Sequence, residues 1–294
     1  MVKNYGDVME KDNSVKKVSI LGVIVNLFLL SIKLLAGLIS KSQAMIADSL
    51  NSAGDIFASI MSYTGAKIAS KPIDKDHPYG HGKAEYIFSF IIGILMIIAS
   101  VTMINSSIKN IISNKEITFS FWLIVVCVVT IVTKLLLYLW AEGKYNKCKS
   151  ILIKASMEDH RNDIFLTLGT ITSIIFCYFK VYFVDGIIGI CISIWIIYVG
   201  INIILESYKV LMDTNISQKD QEEIIKLVEL QEEILHVDSI ISKPIGNKYI
   251  VILKISMDGK MTLNKAHKIC GIIKSDIIEK FEYVQDVIVH PNPH

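Results

Sequence analysis

The stretch EDHRNDIFLTLGTITSIIFCYF, residues 158–179, decides the fold. It opens with two carboxylates one helical turn apart, Asp159 and Asp163, and continues as a segment apolar enough to face lipid. A bilayer core takes about 20 helical residues to cross. A carboxylate at its centre costs roughly 2.5–3.5 kcal/mol on insertion scales. Charge placed at that depth needs a functional reason.

Five further windows are long and apolar enough to accompany it. Transmembrane helices are predicted near residues 17–39, 43–68, 85–111, 118–141, 150–179 and 182–207, and no Pro interrupts any of them. The second and fifth are the least hydrophobic, and they hold the internal acids. With 52% apolar residues strung into long runs, the chain reads as an integral membrane protein. The net charge of +2 is too small to argue for a nucleic-acid partner, and the lysines are scattered rather than striped along one face, so none is expected. The cysteines (Cys127, Cys148, Cys177, Cys191 and Cys270) form no CxxC pair and read as small buried apolar residues rather than a disulfide framework. The first fifteen residues lack an apolar run, so no cleavable signal peptide is expected.

The lysines orient the bundle. Lys3, Lys11, Lys16 and Lys17 precede the first helix; Lys67, Lys71, Lys75 and Lys83 follow the second; Lys144, Lys147, Lys149 and Lys154 follow the fourth. The opposite side offers only Lys41, Lys109, Lys115 and Lys180. The positive-inside rule then puts both termini in the cytoplasm.

After about residue 208 the pattern becomes that of a water-facing domain. SQKDQEEIIKLVELQ is an amphipathic helix with Ser217 at its N-cap. VDSIISKPI and KYIVILKISMD alternate like strands around a Gly246-Asn247 hairpin signal. A second helix and a final strand, VQDVIVH, complete an α-β-β-α-β order. The expected organisation is a cytoplasmic tail over 1–15, a six-helix transmembrane domain over 16–208 and a cytoplasmic α+β domain over 209–294. A ferredoxin-like, metallochaperone-like type is expected for that last domain.

Two helices carry candidate chemistry. Asp48, Asn51 and Asp55 follow at i, i+3 and i+7 on one face of the second, and Asp159 and Asp163 at i and i+4 on one face of the fifth. Together Asn51, Asp55, Asp159 and Asp163 offer four oxygens to one cation. The bland alternative makes one pair a solvated helix end, which fits Asp159 better than Asp55. Hard oxygens suit Mg²⁺, Ca²⁺ or Mn²⁺, whereas His and Cys would favour Zn²⁺ or Cu. His160 lies about 100° round the helix from Asp159, which makes it a neighbour or interfacial residue rather than a ligand. In the loop DKDHPYGHGKAE, residues 74–85, Asp74, His77 and His81 form a metal-like cluster that a packed surface turn would also explain. Asp238, His267, His290 and His294 are scattered through the last domain.

Six helices, N-x-x-x-D on the second, D-x-x-x-D on the fifth, the HPYGHGKAE loop and the α-β-β-α-β tail resemble the cation diffusion facilitators from about residue 15 onward. The resemblance implies a homodimeric exporter of divalent cations that exchanges them for protons, in the plasma membrane of a bacterium. Its transport site maps onto Asn51, Asp55, Asp159 and Asp163, and a loop site onto Asp74, His77 and His81. Zinc-transporting members commonly begin one or both acid pairs with His; Asn51 and Asp159 follow the manganese-type branch instead. The implied cargo is therefore Mn²⁺ ahead of Fe²⁺ or Zn²⁺, with no prosthetic group. Family metal positions in the tail match Asp238, His267 and His290, but Lys254 and Asn292 stand at two others, so the tail is expected to serve dimerisation with at most one weak metal site. A structural ion pair is implied between Lys83 and Asp213. From other classes, an intramembrane aspartyl hydrolase would need only two acids sharing a proton, and a metal sensor would bind without transporting.

Overall fold

The computed structural model describes residues 2–39, 43–113, 121–178 and 183–294. The side chains of Lys3, Lys41, Asp48, Asn51, Lys115, Cys177 and Lys180 lie outside the described residues. The chain forms two compact units, Met1–Pro72 with Ala84–Tyr208, and Ile73–Lys83 with Lys209–His294.

The first unit consists of α1 (Val2–Ile39), α2 (Gln43–Ala69), α3 (Ala84–Ser113), α4 (Phe121–Cys148), α5 (Ile151–Tyr178) and α6 (Phe183–Leu211). Helices are the open choice here, because backbone groups in hydrocarbon must be satisfied within their own segment. α1 runs unbroken through residues 2–15, the polar stretch that composition alone reads as a tail. Among the described residues four stretches are long and apolar enough to cross a membrane: Asn13–Ala36, Ala84–Ile112, Ile124–Cys148 and Gly186–Leu211. α2 and α5 match them in length but carry the acids and their polar neighbours.

Three local features align these helices. Between α4 and α5 the chain turns in two residues, with Lys149 in the left-handed region at φ 48° and its N–H on Tyr145 O at 2.7 Å. Lys134 and Asp163 lie at similar distances from this turn, so the helical hairpin sets them at one depth. α1 and α2 pack together and share a buried hydrogen bond from Ser19 Oγ to Ser62 Oγ at 2.9 Å. α3 and α6 approach through glycine: a Cβ on Gly93 would stand 3.0 Å from Gly200 O, and one on Gly200 3.1 Å from Gly93 O. Small residues permit such close helix crossings in lipid, where dispersion rather than water exclusion drives packing.

The second unit contains α7 (Gln218–Val228), β1 (Ile234–Pro244), β2 (Tyr249–Met257), α8 (Leu263–Lys280) and β3 (Val284–Pro293). The sheet order is β1-β2-β3. β1 and β2 are antiparallel around the hairpin at Gly246, whose φ of +87° only glycine adopts readily. β2 and β3 are parallel, which requires the crossover that α8 supplies. Ser217 caps α7 by accepting the Asp220 N–H. Ile224, Val228, Ile269, Ile273 and Ile277 from the helices bury against Val251, Leu253 and Ile255 of the central strand. The segment 73–83 belongs to this unit, and Gly82 sits so close to the hairpin that a Cβ there would be 3.3 Å from Gly246 Cα.

Candidate metal centre

Asp55 on α2 and Asp163 on α5 are both buried, and Asp159 is half-buried one turn before Asp163. With Asn162 they line a cavity of about 50 Å³, whose other walls include Met96, Ser100 and Met103 of α3 and Ile196 of α6. A water-sized occupant needs roughly 10–15 Å³, so the space suits a small ion with part of its hydration. The two acid-bearing helices are thus brought together. Asn51, the fourth expected oxygen, lies outside the described side chains, so the structure speaks to three of the four positions.

Between the acids stands a residue that motif spacing does not reveal. Lys134 of α4 is 1% exposed; its Nζ lies 3.2 Å from Asp55 Oδ2 and pairs directly with Asp163 Oδ2. A second buried lysine, Lys33 of α1, donates to Ser52 Oγ at 3.2 Å, one turn from Asp55. Counting loop lysines for orientation passes over both. The signal that finds them is the charge itself: TIVTKLLLYLW is an apolar run with an ammonium at its centre, and intramembrane charge marks function or pairing.

Asn162 is also new. It is 3% exposed, and neither its amide nitrogen nor its oxygen has a hydrogen-bond partner. His160 is buried rather than interfacial, and one ring nitrogen joins carboxylate oxygens of Asp159 and Asp163 in a set lying within 4.8 Å of one another. The rotation expected from helix geometry is therefore bridged by the reach of the imidazole.

What orients α5 is Glu85, buried in the first turn of α3. It accepts from Ser150 Oγ at 2.5 Å and from the Ile151 N–H at 3.0 Å, and it pairs with Lys11 of α1 at 2.6 Å. A carboxylate at a helix N-terminus satisfies otherwise orphaned N–H groups and meets the positive end of the helix dipole. Glu206 of α6 pairs with Lys154 on the next turn.

In the second unit, Asp74, His77 and His81 come together. Asp74 Oδ1 accepts from the His77 backbone N–H at 2.7 Å and meets its Nδ1 at 3.0 Å, while His81 Nε2 lies 3.4 Å from Oδ2. One ligand atom from each residue fits within a 4.8 Å set. The His77 backbone N–H holds the Asp74 carboxyl below its ordinary value. Such a group keeps its charge for a cation at neutral pH. Lys83 donates to Asp213 Oδ1 at 2.5 Å, and Lys243 approaches Oδ2 at 3.7 Å.

Among the tail acids and imidazoles, Asp238 meets His236, whose ring packs edge to face on that of His294 at 5.6 Å. Asp238 accepts from Asn292 Nδ2 at 2.7 Å and from Ser256 Oγ at 2.8 Å, and it meets His236 Nε2 at 2.9 Å. These donors, Asn292 first, hold its carboxyl below the usual range. His267 on α8 and His290 on β3 are exposed, and His290 pairs in register with Lys254. Among the described residues, no three-ligand set includes Asp238, His267 or His290.

Comparison with known proteins gives a consistent picture. The family model described as cation efflux transmembrane domain matches residues 19–212, and that described as cation efflux protein, cytoplasmic domain, matches residues 216–294. The manganese efflux system protein MneP of Bacillus subtilis is 27% identical over 292 residues, spanning 97% of this chain and 98% of its own length. MneS, a manganese efflux system protein of the same organism, is 28% identical over 274 residues, 93% of either chain. The cation-efflux pump FieF of Shewanella oneidensis is 25% identical over 279 residues, 95% of this chain and 94% of its own.

Proposed function

Because the chain belongs to the cation efflux family, whose members are membrane transporters rather than enzymes, we propose that it exports Mn²⁺ from the cytoplasm in exchange for protons. The observation that carries this reading is the convergence of Asp55, Asp159 and Asp163 on one small cavity between helices. Asn51, four residues before Asp55 in the same helix, completes the proposed ligand set.

The mechanism follows from the donors. A divalent ion enters from the cytoplasmic side, the side proposed for the lysine-rich loops and both termini, and is held by carboxylate and amide oxygens. Protons compete for the same carboxylates, so a proton gradient can drive release on the far side through alternating access. Hard oxygens favour Mn²⁺, and two of the relatives bear manganese efflux names. The second unit serves homodimerisation, with the Asp74–His77–His81 loop as an additional cation site and Lys83–Asp213 as a structural pair. The proposed setting is the plasma membrane of a bacterium.

One observation favours a second cargo. The His160 nitrogen beside Asp159 and Asp163 offers a ligand that Zn²⁺ prefers. Proteoliposomes with an imposed pH gradient separate the cases when challenged with Mn²⁺, Fe²⁺, Zn²⁺, Co²⁺ and Cd²⁺. Gradient-driven Mn²⁺ uptake that Asp163→Ala abolishes is the expected result. Wild-type rates in Asp163→Ala would remove the site assignment, and faster Zn²⁺ than Mn²⁺ uptake would select the second reading.

A further inference from the structure

Lys134 occupies the ground between two acids from different helices. One nitrogen meets an oxygen of Asp55 and an oxygen of Asp163. A divalent ion bound to the same two oxygens would lie about 2.0–2.2 Å from each. The ammonium and such an ion claim overlapping volume, so both cannot bridge the pair at once.

We propose that Lys134 is a tethered counter-cation that holds the seat between Asp55 and Asp163, and that the transported ion binds by displacing it. The inference rests on the reading of Asp55 and Asp163 as transport ligands. What changes on ion binding is the position of the ammonium. Three carboxylates face one another here in a medium of low dielectric, where unbalanced charge is costly. The tethered ammonium balances part of that charge, and Lys33 adds a second positive group one turn from Asp55.

The helix also offers the displaced ammonium a resting place. Thr130 stands one turn before Lys134 on α4, is 1% exposed, and its Oγ1 has no hydrogen-bond partner. Long helical side chains lie back toward the N-terminal turn, and a hydroxyl oxygen can accept from an ammonium. Displacement by this route filters cargo by charge. A monovalent ion gains little over the ammonium already in place, whereas a divalent ion doubles the attraction to the same acids.

Equilibrium Mn²⁺ binding by the purified full-length protein at fixed pH tests the proposal. If the ammonium fills the seat nine-tenths of the time, apparent affinity is weakened about tenfold. Lys134→Met should therefore bind Mn²⁺ about tenfold more tightly than wild type and release it more slowly in transport. Lys134→Arg, which keeps the charge, should stay near wild type. Thr130→Val should bind Mn²⁺ more weakly. Should Lys134→Met be unstable without added metal, Mn²⁺ should raise its melting temperature more than it raises that of wild type. Equal or weaker Mn²⁺ binding by Lys134→Met, or an equal or smaller melting shift, overturns the proposal. Asp163→Asn separates the two levels: wild-type binding in that variant removes the transport site itself, while lost binding there with an unaffected Lys134→Met removes only the counter-cation.

Discussion

The Glu85 carboxylate accepts the Ile151 backbone N–H at 3.0 Å, so the first turn of α3 caps the helix that carries Asp159 and Asp163. The same carboxylate holds Ser150 and Lys11, so one buried side chain fixes three helices around the candidate centre.

Glu85→Ala removes all three partners' acceptor and leaves the Lys11 ammonium without this pair. Breaking a buried ion pair by deleting one member costs about 3–5 kcal/mol. Thermal melting in detergent should show a large loss for Glu85→Ala and a smaller one for Glu85→Gln, which still accepts from Ser150 and Ile151. Equal melting of Glu85→Ala and wild type would mean that α5 is held by packing alone.

Asn162 presents an amide to the cavity with no protein partner. An unsatisfied buried polar group costs about 1–3 kcal/mol, so Asn162→Leu should melt at or above the wild-type temperature. Its Mn²⁺ transport should nonetheless slow, because the cargo loses a neutral oxygen or the water it positions. Unchanged transport in the stabilised variant would exclude Asn162 from the pathway.

Selectivity should follow donor type. Replacing Asn51 and Asp159 by His in one chain supplies imidazole where hard oxygens stood, and should shift preference from Mn²⁺ toward Zn²⁺. Competitive uptake of the two ions by proteoliposomes measures the ratio. A ratio unmoved by the double substitution would place selectivity elsewhere, with His160 the first residue to change.

The Lys83 hydrogen bond holds the Asp213 carboxyl below its ordinary value of 3.8. The folded state binds the proton less readily than the unfolded state, so the pair's contribution is whole above about pH 4 and fades as pH falls through the folded value. Because the pair is partly exposed, that contribution is about 0.2–1 kcal/mol. Asp213 has φ 53°, which Asn also tolerates, so Asp213→Asn isolates the charge. Its melting deficit should be visible at neutral pH and close on acidification; a deficit that widens at low pH contradicts the assignment.

Much of this molecule is legible in one dimension because its signals are local. Apolar runs mark the helices, Gly246 marks the hairpin, and the i, i+4 spacing of Asp159 and Asp163 marks a shared face. The partners of those acids are not local. Lys134 is drawn to Asp55 from another helix, a relationship that only the α4–α5 turn and α2 packing create. His160 shows the limit of helical angles, since a long ring can reach back across a rotation that its Cα does not make. Asp238 shows the reverse case: an acid in a promising pattern is already saturated by Asn292, Ser256 and His236.

The chain crosses between its two compact units after Pro72, again after Lys83 and finally after Tyr208. Truncation at residue 208 is therefore not a clean excision. It would strip Lys83 of Asp213 and Gly82 of the Gly246 hairpin, leaving the α2–α3 connection without its folded support. Loss of activity in such a truncated protein would report a stranded loop as much as a missing domain.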